Sequence, residues 1–510
     1  MIMLYNCGKG KIVVYFHWTI NYNLGRWDMD KVYLLGGRRS YIGVENGIYR
    51  NVGAEELGAF VIKKVMDSYD ISPEDIDLVA VGNAIGAGGN IGRLASLMAG
   101  ISEKTPVVTL DSQCGSGLSA IMHAAMQIEL GMADVAIAGG FESSSTAPVR
   151  SINKRHPDFS DDGDNVFKVA KFKPGPYDEL AMFKGAEKCA ETFGMSRSEL
   201  DMYAIRSHRR AAQARMQGDL SGILAGSFYA QFIKDNNPEG KATAGDEKII
   251  SEKKKSLHNY ETRPGNIPIE KDEGIRERIS EKLLTRLPVL VPGGKYITAG
   301  NVCLTNDGAA FVLLCSERFL RNASETAEEE NDAALKEVDT KEVKNILKPF
   351  RIVDIVSVGA SPDMSPASIV PAIDKLLERN SLKASDILAW EYNEAFAVID
   401  KLMESYVNKD FSNANIFGGA LAYGHPYGAS GGIITLHLMK AMEKLMAEEA
   451  EVSANNSVDN EAGYNDVDNK DWNIVVKGED VSETDVSETR YGVCAVAAAG
   501  GIGTAMLVSR

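Results

Sequence analysis

The chain is poor in cysteine and histidine, and its six cysteines, at positions 7, 114, 189, 303, 315 and 494, form no Cys-x-x-Cys pair and no regular spacing. That pattern indicates neither a zinc site nor a disulfide framework, and it fits a reducing, cytoplasmic compartment. No run of about eighteen apolar residues occurs, so no transmembrane helix and no membrane partner are expected. A positive charge excess is also missing: 55 Lys and Arg stand against 71 Asp and Glu, a net charge of -16, which argues against a nucleic-acid surface. What remains is ordinary globular composition, 510 residues with 44% hydrophobic and 25% charged, enough for two or three domains. Residues 1–28 hold one short apolar stretch at 12–16 and no small-residue cleavage site, so they do not read as a secretory signal. Translation is expected to start at Met29, because 31–34 reads as the first strand; an intact mass that includes residues 1–28 would overturn this.

From about residue 30, short β-branched apolar runs alternate with amphipathic stretches of helical length, which specifies an α/β fold with parallel or mixed sheets. Early in the chain a helix over 54–68 leads through Ser-Pro-Glu-Asp at 72–75 into a buried strand at 78–81. The same order returns late: a helix ending at 376–380, Lys-Ala-Ser-Asp at 383–386, and a strand at 387–392. Each series continues into a Gly/Ser turn with a helix, 115–130 and 430–445, and then a small-residue strand, 135–140 and 493–501. An internal duplication follows from this correspondence. Between the halves, residues 149–292 read as a surface excursion. Two charge-rich stretches, 322–345 and 447–489, read as inserted flexible loops.

Three segments carry chemistry. Cys114 lies in Asp-Ser-Gln-Cys-Gly-Ser-Gly-Leu-Ser-Ala, between a strand at 107–110 and a helix beginning near Gly117. A thiol at a helix N-terminus is favoured as thiolate by the macrodipole, and its own N–H can help hold an oxyanion; a buried packing cysteine is the plainer alternative. His425 lies in a glycine-dense turn, Gly-His-Pro-Tyr-Gly-Ala-Ser-Gly, where a fixed imidazole can take a thiol proton, or else merely cap the turn. Asn393, in Asn-Glu-Ala-Phe-Ala, can position a water for an oxyanion.

Together, in this order, the three segments are similar to the signatures of the thiolases, and Gly300-Asn301 with Asn-Asp-Gly-Ala-Ala at 306–310 resembles that family's central motif. The resemblance implies a five-layered αβαβα sandwich of two duplicated halves with an inserted loop domain. Its expected boundaries are an extra segment at 1–28, the N-terminal half at 29–148, a loop domain over the coenzyme A tunnel at 149–292, a return to the first half at 293–321, and the C-terminal half at 322–510. It also implies that Cys114 is acylated, that His425 is its base, that Asn393 holds a water, and that the N–H groups of Cys114 and Ala499 form an oxyanion hole. The reaction is then ping-pong acyl transfer between acyl-CoA and coenzyme A or a second thioester, without metal or redox cofactor, in a homodimer or homotetramer. Met182, Lys184, Asn301, Cys303 and Phe396 are the expected substrate-lining residues.

The pattern breaks at one catalytic position. Aligning Gly500 and Gly501 with the family's glycine run puts Ala497 where thiolases carry a second cysteine that moves the α-proton. Cys494 lies an odd number of residues away and so on the opposite face of a strand, and only a register slip that displaces the Gly-Gly pair would bring it round; Cys303, from its place in the central motif, is the other candidate substitute acid/base, with a buried packing cysteine as its plainer reading. Ala181 stands where many members have histidine. Three readings follow: a thiolase, a thiolase-like condensing or acyl-transfer enzyme that does without the second cysteine, and a non-catalytic thioester-binding subunit.

Overall fold

The computed structural model describes residues 3–7, 11–15, 30–163, 165–167, 169–231, 270–322, 349–462 and 489–510. The expected start at Met29 and the insertion at 322–345 fall outside them, apart from Asn322. Among the described residues, Met3–Cys7 and Lys11–Tyr15 pair with each other as an antiparallel hairpin.

Nine main strands build the central sheet: β1 (Val32–Arg39), β2 (Leu78–Gly82), β3 (Val107–Leu110), β4 (Val135–Ser143), β5 (Asn306–Ser316), β6 (Phe350–Gly359), β7 (Ile387–Tyr392), β8 (Tyr491–Ala498) and β9 (Ile502–Ser509). Their order is β7-β8-β9-β6-β1-β5-β4-β2-β3, with Gly43–Val44 added on β5. The duplication is visible in this path. In the first half β1, β5 and β4 are antiparallel neighbours, while β4, β2 and β3 run parallel. In the second half β6, β9 and β8 are antiparallel and β8 runs parallel to β7, with a parallel bridge from Trp390 to Ala414 in the place of a fifth strand. The two half-sheets meet edge to edge where Val32, Tyr33 and Leu34 pair with Ile352, Arg351 and Phe350.

Two inner helices, Ser116–Glu129 and Ser430–Ala462, pack between the half-sheets. Leu118, Ile121, Leu436 and Met442 share one apolar cluster with Ala138, Val312, Val496 and Val508 of the strands. Strand residues of the other parity face outward, because side chains alternate: Ile137 and Leu313 pack on the helix Ala54–Tyr69, and Ala495, Ala497 and Leu507 on the helix Ile369–Arg379. Helix, sheet, helix, sheet, helix is therefore the order of layers, and both sheet faces are covered, which explains the continuous burial of β4 and β5. The stretch from 447 departs from its loop reading, since the second inner helix continues to Ala462; its Ala and Glu residues extend an already nucleated helix at little cost. Residues 463–488 of that insertion lie outside the described residues.

The chain returning from the excursion is fastened by a buried pair. Asp272 accepts from Arg39 Nη1 and Nη2 at 2.9 and 3.0 Å and from the Ile42 N–H at 2.9 Å. Asp272→Ala leaves Arg39, 1% exposed, charged and unpaired, so chemical denaturation is expected to show a loss of about 3–5 kcal/mol.

Candidate active site

The site forms where the two halves present equivalent turns. Each inner helix is preceded by one 3-10 turn, Gln113–Gly115 in the first half and Tyr427–Ala429 in the second. The turns approach closely because Gly117 has no side chain; a Cβ there would lie 2.6 Å from the Gly428 carbonyl. Gln113 adopts φ 56°, a left-handed conformation costing about 1–2 kcal/mol for a residue with a side chain. Asp111 holds it there, accepting from its N–H at 2.8 Å and its Nε2 at 3.1 Å. The reversal places Cys114 with its thiol against two backbone donors, its own N–H and that of Ala499. Burial pushes the thiol up to about 11; the two N–H groups oppose this, and the Glu142 and Asp111 carboxylates add to it.

His425 is fixed at every polar atom. Its N–H donates to Asn306 Oδ1 at 2.9 Å, Asn306 Nδ2 donates to the Gly43 carbonyl at 2.8 Å, and its backbone bridges to Thr305. Gly424 precedes it at φ 104°, where a Cβ would fall 2.1 Å from Asn306 Oδ1. Nε2 lies 3.1 Å from Asn393 Nδ2 and Nδ1 lies 2.6 Å from Ser430 Oγ. An amide nitrogen only donates, so Nε2 is the acceptor and Nδ1 carries the proton. Ser430 agrees: its hydroxyl proton goes to the Pro426 carbonyl at 3.0 Å, leaving its oxygen to accept from Nδ1. Burial holds the imidazole down at about 3, so it is neutral, with a lone pair on the ring nitrogen that faces Asn393.

Around this core, Tyr427 packs its ring edge-to-face with His425, centroids 4.9 Å apart; burial raises its phenol far above the ordinary range, and the neighbouring Cys303 and Cys114 add to this. Cys303 is also felt by Cys114, which together with burial raises the Cys303 thiol far above its ordinary range. Glu142 accepts from Asn83 Nδ2 at 2.8 Å and from the N–H groups of Ala84, Ile85 and Gly428 at 2.9, 3.3 and 3.1 Å. It ties the end of β2 to the histidine turn, and burial brings its carboxyl up to about 7. Among the described residues no group of three or more His, Cys, Asp or Glu is arranged to hold a metal, and no helix is long and apolar enough to cross a membrane.

Residues 32–246 and 256–318 match the thiolase N-terminal domain, and residues 347–459 match the thiolase C-terminal domain. The chain belongs to the thiolase family. A probable acetyl-CoA acyltransferase of Staphylococcus aureus strain COL is 30% identical to this thiolase over 421 residues, 81% of this chain and 92% of the relative. Human mitochondrial 3-ketoacyl-CoA thiolase shares the fold with a TM-score of 0.67 at 24% identity, over 94% of this chain and 98% of that one. An Ascaris suum thiolase crystallised with coenzyme A does so with a TM-score of 0.66 at 23% identity, over 94% and 100%.

In this thiolase the Ala499 N–H lies at the Cys114 thiol, Cys303 feels the charge of Cys114, and Asn393 is hydrogen-bonded to His425. Phe396 and Met182 pack in the neighbouring cluster of the second half, Phe396 edge-on to Phe183 at 5.9 Å. Asn301 and Lys184 are engaged within the protein, and Cys494 lies on the opposite strand face from Ala497, as the alternation of side chains requires. Asn301 has no free donor for a substrate: its Oδ1 accepts from the Thr298 N–H, and its Nδ2 donates to Asp201 and the Tyr296 carbonyl, each at 2.9 Å. Cys494 faces the inner helix, 3.9 Å from Thr435, with its thiol pushed up to about 12 by burial, while Ala497 faces the outer cluster. Lys184 is half exposed and engaged by Asp178 at 2.8 Å, so any ligand anion competes with that carboxylate. Two residues escaped the sequence reading. Ser430, five positions after His425 at the head of a helix, was visible in the motif without a role; Glu142, a lone acid ending an apolar strand, gave only the signal of its buried setting.

Proposed function

We propose that this thiolase is an acyl-CoA C-acyltransferase that cleaves 3-ketoacyl-CoA with coenzyme A, or joins acetyl units in the reverse direction, through an acyl group on Cys114. The observation that supports this reading is the close approach of the two turns, one carrying a thiol that two backbone N–H groups contact and the other following a neutral, singly protonated His425. Nε2 takes the thiol proton as Sγ attacks the thioester or ketone carbonyl. The Cys114 and Ala499 N–H groups, which now touch sulfur, are positioned for the oxyanion of the acyl-cysteine adduct, and Asn393 with His425 for that of the second half-reaction.

Ala497 favours a second reading, in which acylation at Cys114 is retained and the α-proton of the other thioester is moved by another group, or is not moved at all because the acceptor is not a carbanion. Cys303 is the nearest such group on sequence and electrostatic grounds. Intact-mass analysis after exposure to acetyl-CoA and longer acyl-CoAs, paired with a thiolysis assay, separates these cases. An adduct at Cys114 with thiolysis supports the thiolase reading; an adduct without thiolysis or condensation product supports the second; no adduct with any thioester leaves a non-catalytic binding subunit. Cys303→Ser is expected to suppress turnover by about 10² or more while leaving the adduct intact, if Cys303 carries the proton. Unchanged turnover removes Cys303 from that role.

A further inference from the structure

Cleaving a 3-ketoacyl thioester turns its α-carbon into a carbanion, and Ala497 has no proton to give it. The surroundings of Cys114 supply another candidate. Tyr427 follows His425 by two residues and opens the turn Tyr427–Ala429. That turn is fixed on the first half: the Gly428 N–H donates to Glu142 at 3.1 Å, and a Cβ on Gly428 would fall 2.5 Å from the Gly82 and Phe141 carbonyls. The tyrosine ring packs on His425 and against the apolar cluster that holds Cys114. Cys303 stands beside the other cluster, between the two motif segments, since its N–H donates to the Ala395 carbonyl at 3.1 Å and Thr305 bridges to His425. Among the charges felt at the phenol, those of Cys303 and Cys114 come first, ahead of Glu142 and Glu45. The phenol therefore lies where the two clusters meet, near both sulfurs. Its hydroxyl is also unengaged. Tyr427 Oη makes no hydrogen bond with a described residue, and it is not among the unpaired atoms sealed from solvent, such as Tyr49 Oη and Glu391 Oε1. The residue is partly exposed, so its hydroxyl opens onto space that a ligand can enter.

We propose that Tyr427 is the acid that protonates the α-carbon released in thiolysis. This role rests on the acyl-cysteine reading above and completes its first half-reaction. Sγ of Cys114 forms a bond to the ketone carbon as Nε2 of His425 takes the thiol proton. When the carbonyl reforms, the bond between that carbon and the α-carbon breaks, and its electron pair stays on the α-carbon. The phenol proton passes to this carbanion, which departs as acetyl-CoA and leaves a phenolate behind. The phenolate takes the thiol proton of incoming coenzyme A, whose thiolate attacks the acyl-cysteine; His425 returns its proton to the Cys114 thiolate that is expelled. Both transfers at Tyr427 run toward the stronger base, because a thioester carbanion is far more basic than a phenolate and a phenolate more basic than a thiolate. Burial, with the neighbouring sulfurs, raises the phenol, so its proton stays in place until a carbanion forms. A group that ionised at rest would have none to give.

Two donors can load the same acetyl group onto Cys114, and only one of them needs this acid. Acetyl-CoA expels a thiolate, which leaves without a proton; acetoacetyl-CoA expels a carbanion. Both give one adduct mass, so rapid-quench mass spectrometry compares the two routes directly in wild type, Tyr427→Phe and Cys303→Ser. Tyr427→Phe removes an unpaired hydroxyl and keeps the ring. It is expected to load from acetyl-CoA within about threefold of wild type, while loading from acetoacetyl-CoA falls about 10²-fold. Equal losses from the two donors would mean that Tyr427 acts only through its packing on His425, and would overturn the assignment; so would an unchanged rate from acetoacetyl-CoA. A selective loss in Cys303→Ser that Tyr427→Phe does not share gives the proton to Cys303 and overturns it as well. Wild type that loads from acetyl-CoA but not from acetoacetyl-CoA sinks the role of Tyr427 alone, whereas wild type that loads from neither fails the acyl-cysteine reading itself.

Discussion

Cys114→Ala is expected to abolish acyl-adduct formation and to lower acyl transfer on the order of 10⁴-fold or more, because no neighbouring group can take over the covalent step. Cys303 is the obvious understudy, yet its thiol is held even further from ionisation than Cys114 by burial and by Cys114 itself. Wild-type alkylation by iodoacetamide adds a pH test with a definite sign. The reactive form is thiolate, and the Cys114 thiol sits at about 11, so the rate should climb through the neutral range and still be rising at pH 9. A plateau near pH 7 would mean a stabilised thiolate–imidazolium pair, which the neutral, singly protonated His425 does not provide. The measurement is mass-resolved alkylation against pH, with the alanine variant as blank.

Ala497→Cys is expected to raise thiolysis or condensation, by about 10² if proton transfer at the α-carbon limits turnover. Few substitutions in a buried strand are expected to improve a reaction. The basis is parity: Ala497 and Ala495 face the outer cluster with Phe396 and the partly buried Cys303 beside it, whereas Cys494 faces the inner helix. A thiol added at 497 therefore enters the face that Cys494 cannot reach. Steady-state rates with acetoacetyl-CoA and coenzyme A decide the matter. A variant that folds and acylates normally but turns over no faster would show that the native protein already has its acid and base, or that its acceptor requires neither.

The residues that announced themselves in the sequence are those whose role is written in a few neighbouring positions. Cys114 is followed by a helix and flanked by glycine, and His425 sits in a turn whose glycines the backbone demands. Ser430 and Glu142 are different. Their roles exist only through partners brought by the fold, Nδ1 of a turn on one side and three N–H groups from two loops on the other. Asn301 shows the reverse error, since its amide was free to face a ligand until Asp201, one hundred residues earlier, claimed it. The duplicated α/β pattern was legible because the hydrophobic period repeats in both halves, whereas the order of layers came only with the resemblance to the thiolases; the edge contact between β1 and β6 was not legible, because three residue pairs carry no pattern of their own. Acidic composition hid the helical extension to Ala462, although charge alone does not oppose a helix that is already growing.

The antiparallel pairing of β4 with β5 sets Val135 opposite Cys315, some 180 residues later in the chain. On a ribosome the first half-sheet therefore waits, with β4 lacking one neighbour, until the whole excursion and the strand after it have emerged. At about 5–20 residues per second that interval lasts on the order of ten to forty seconds. Throughout it an apolar strand edge is open to other chains, which makes nascent-chain protection a condition of this architecture.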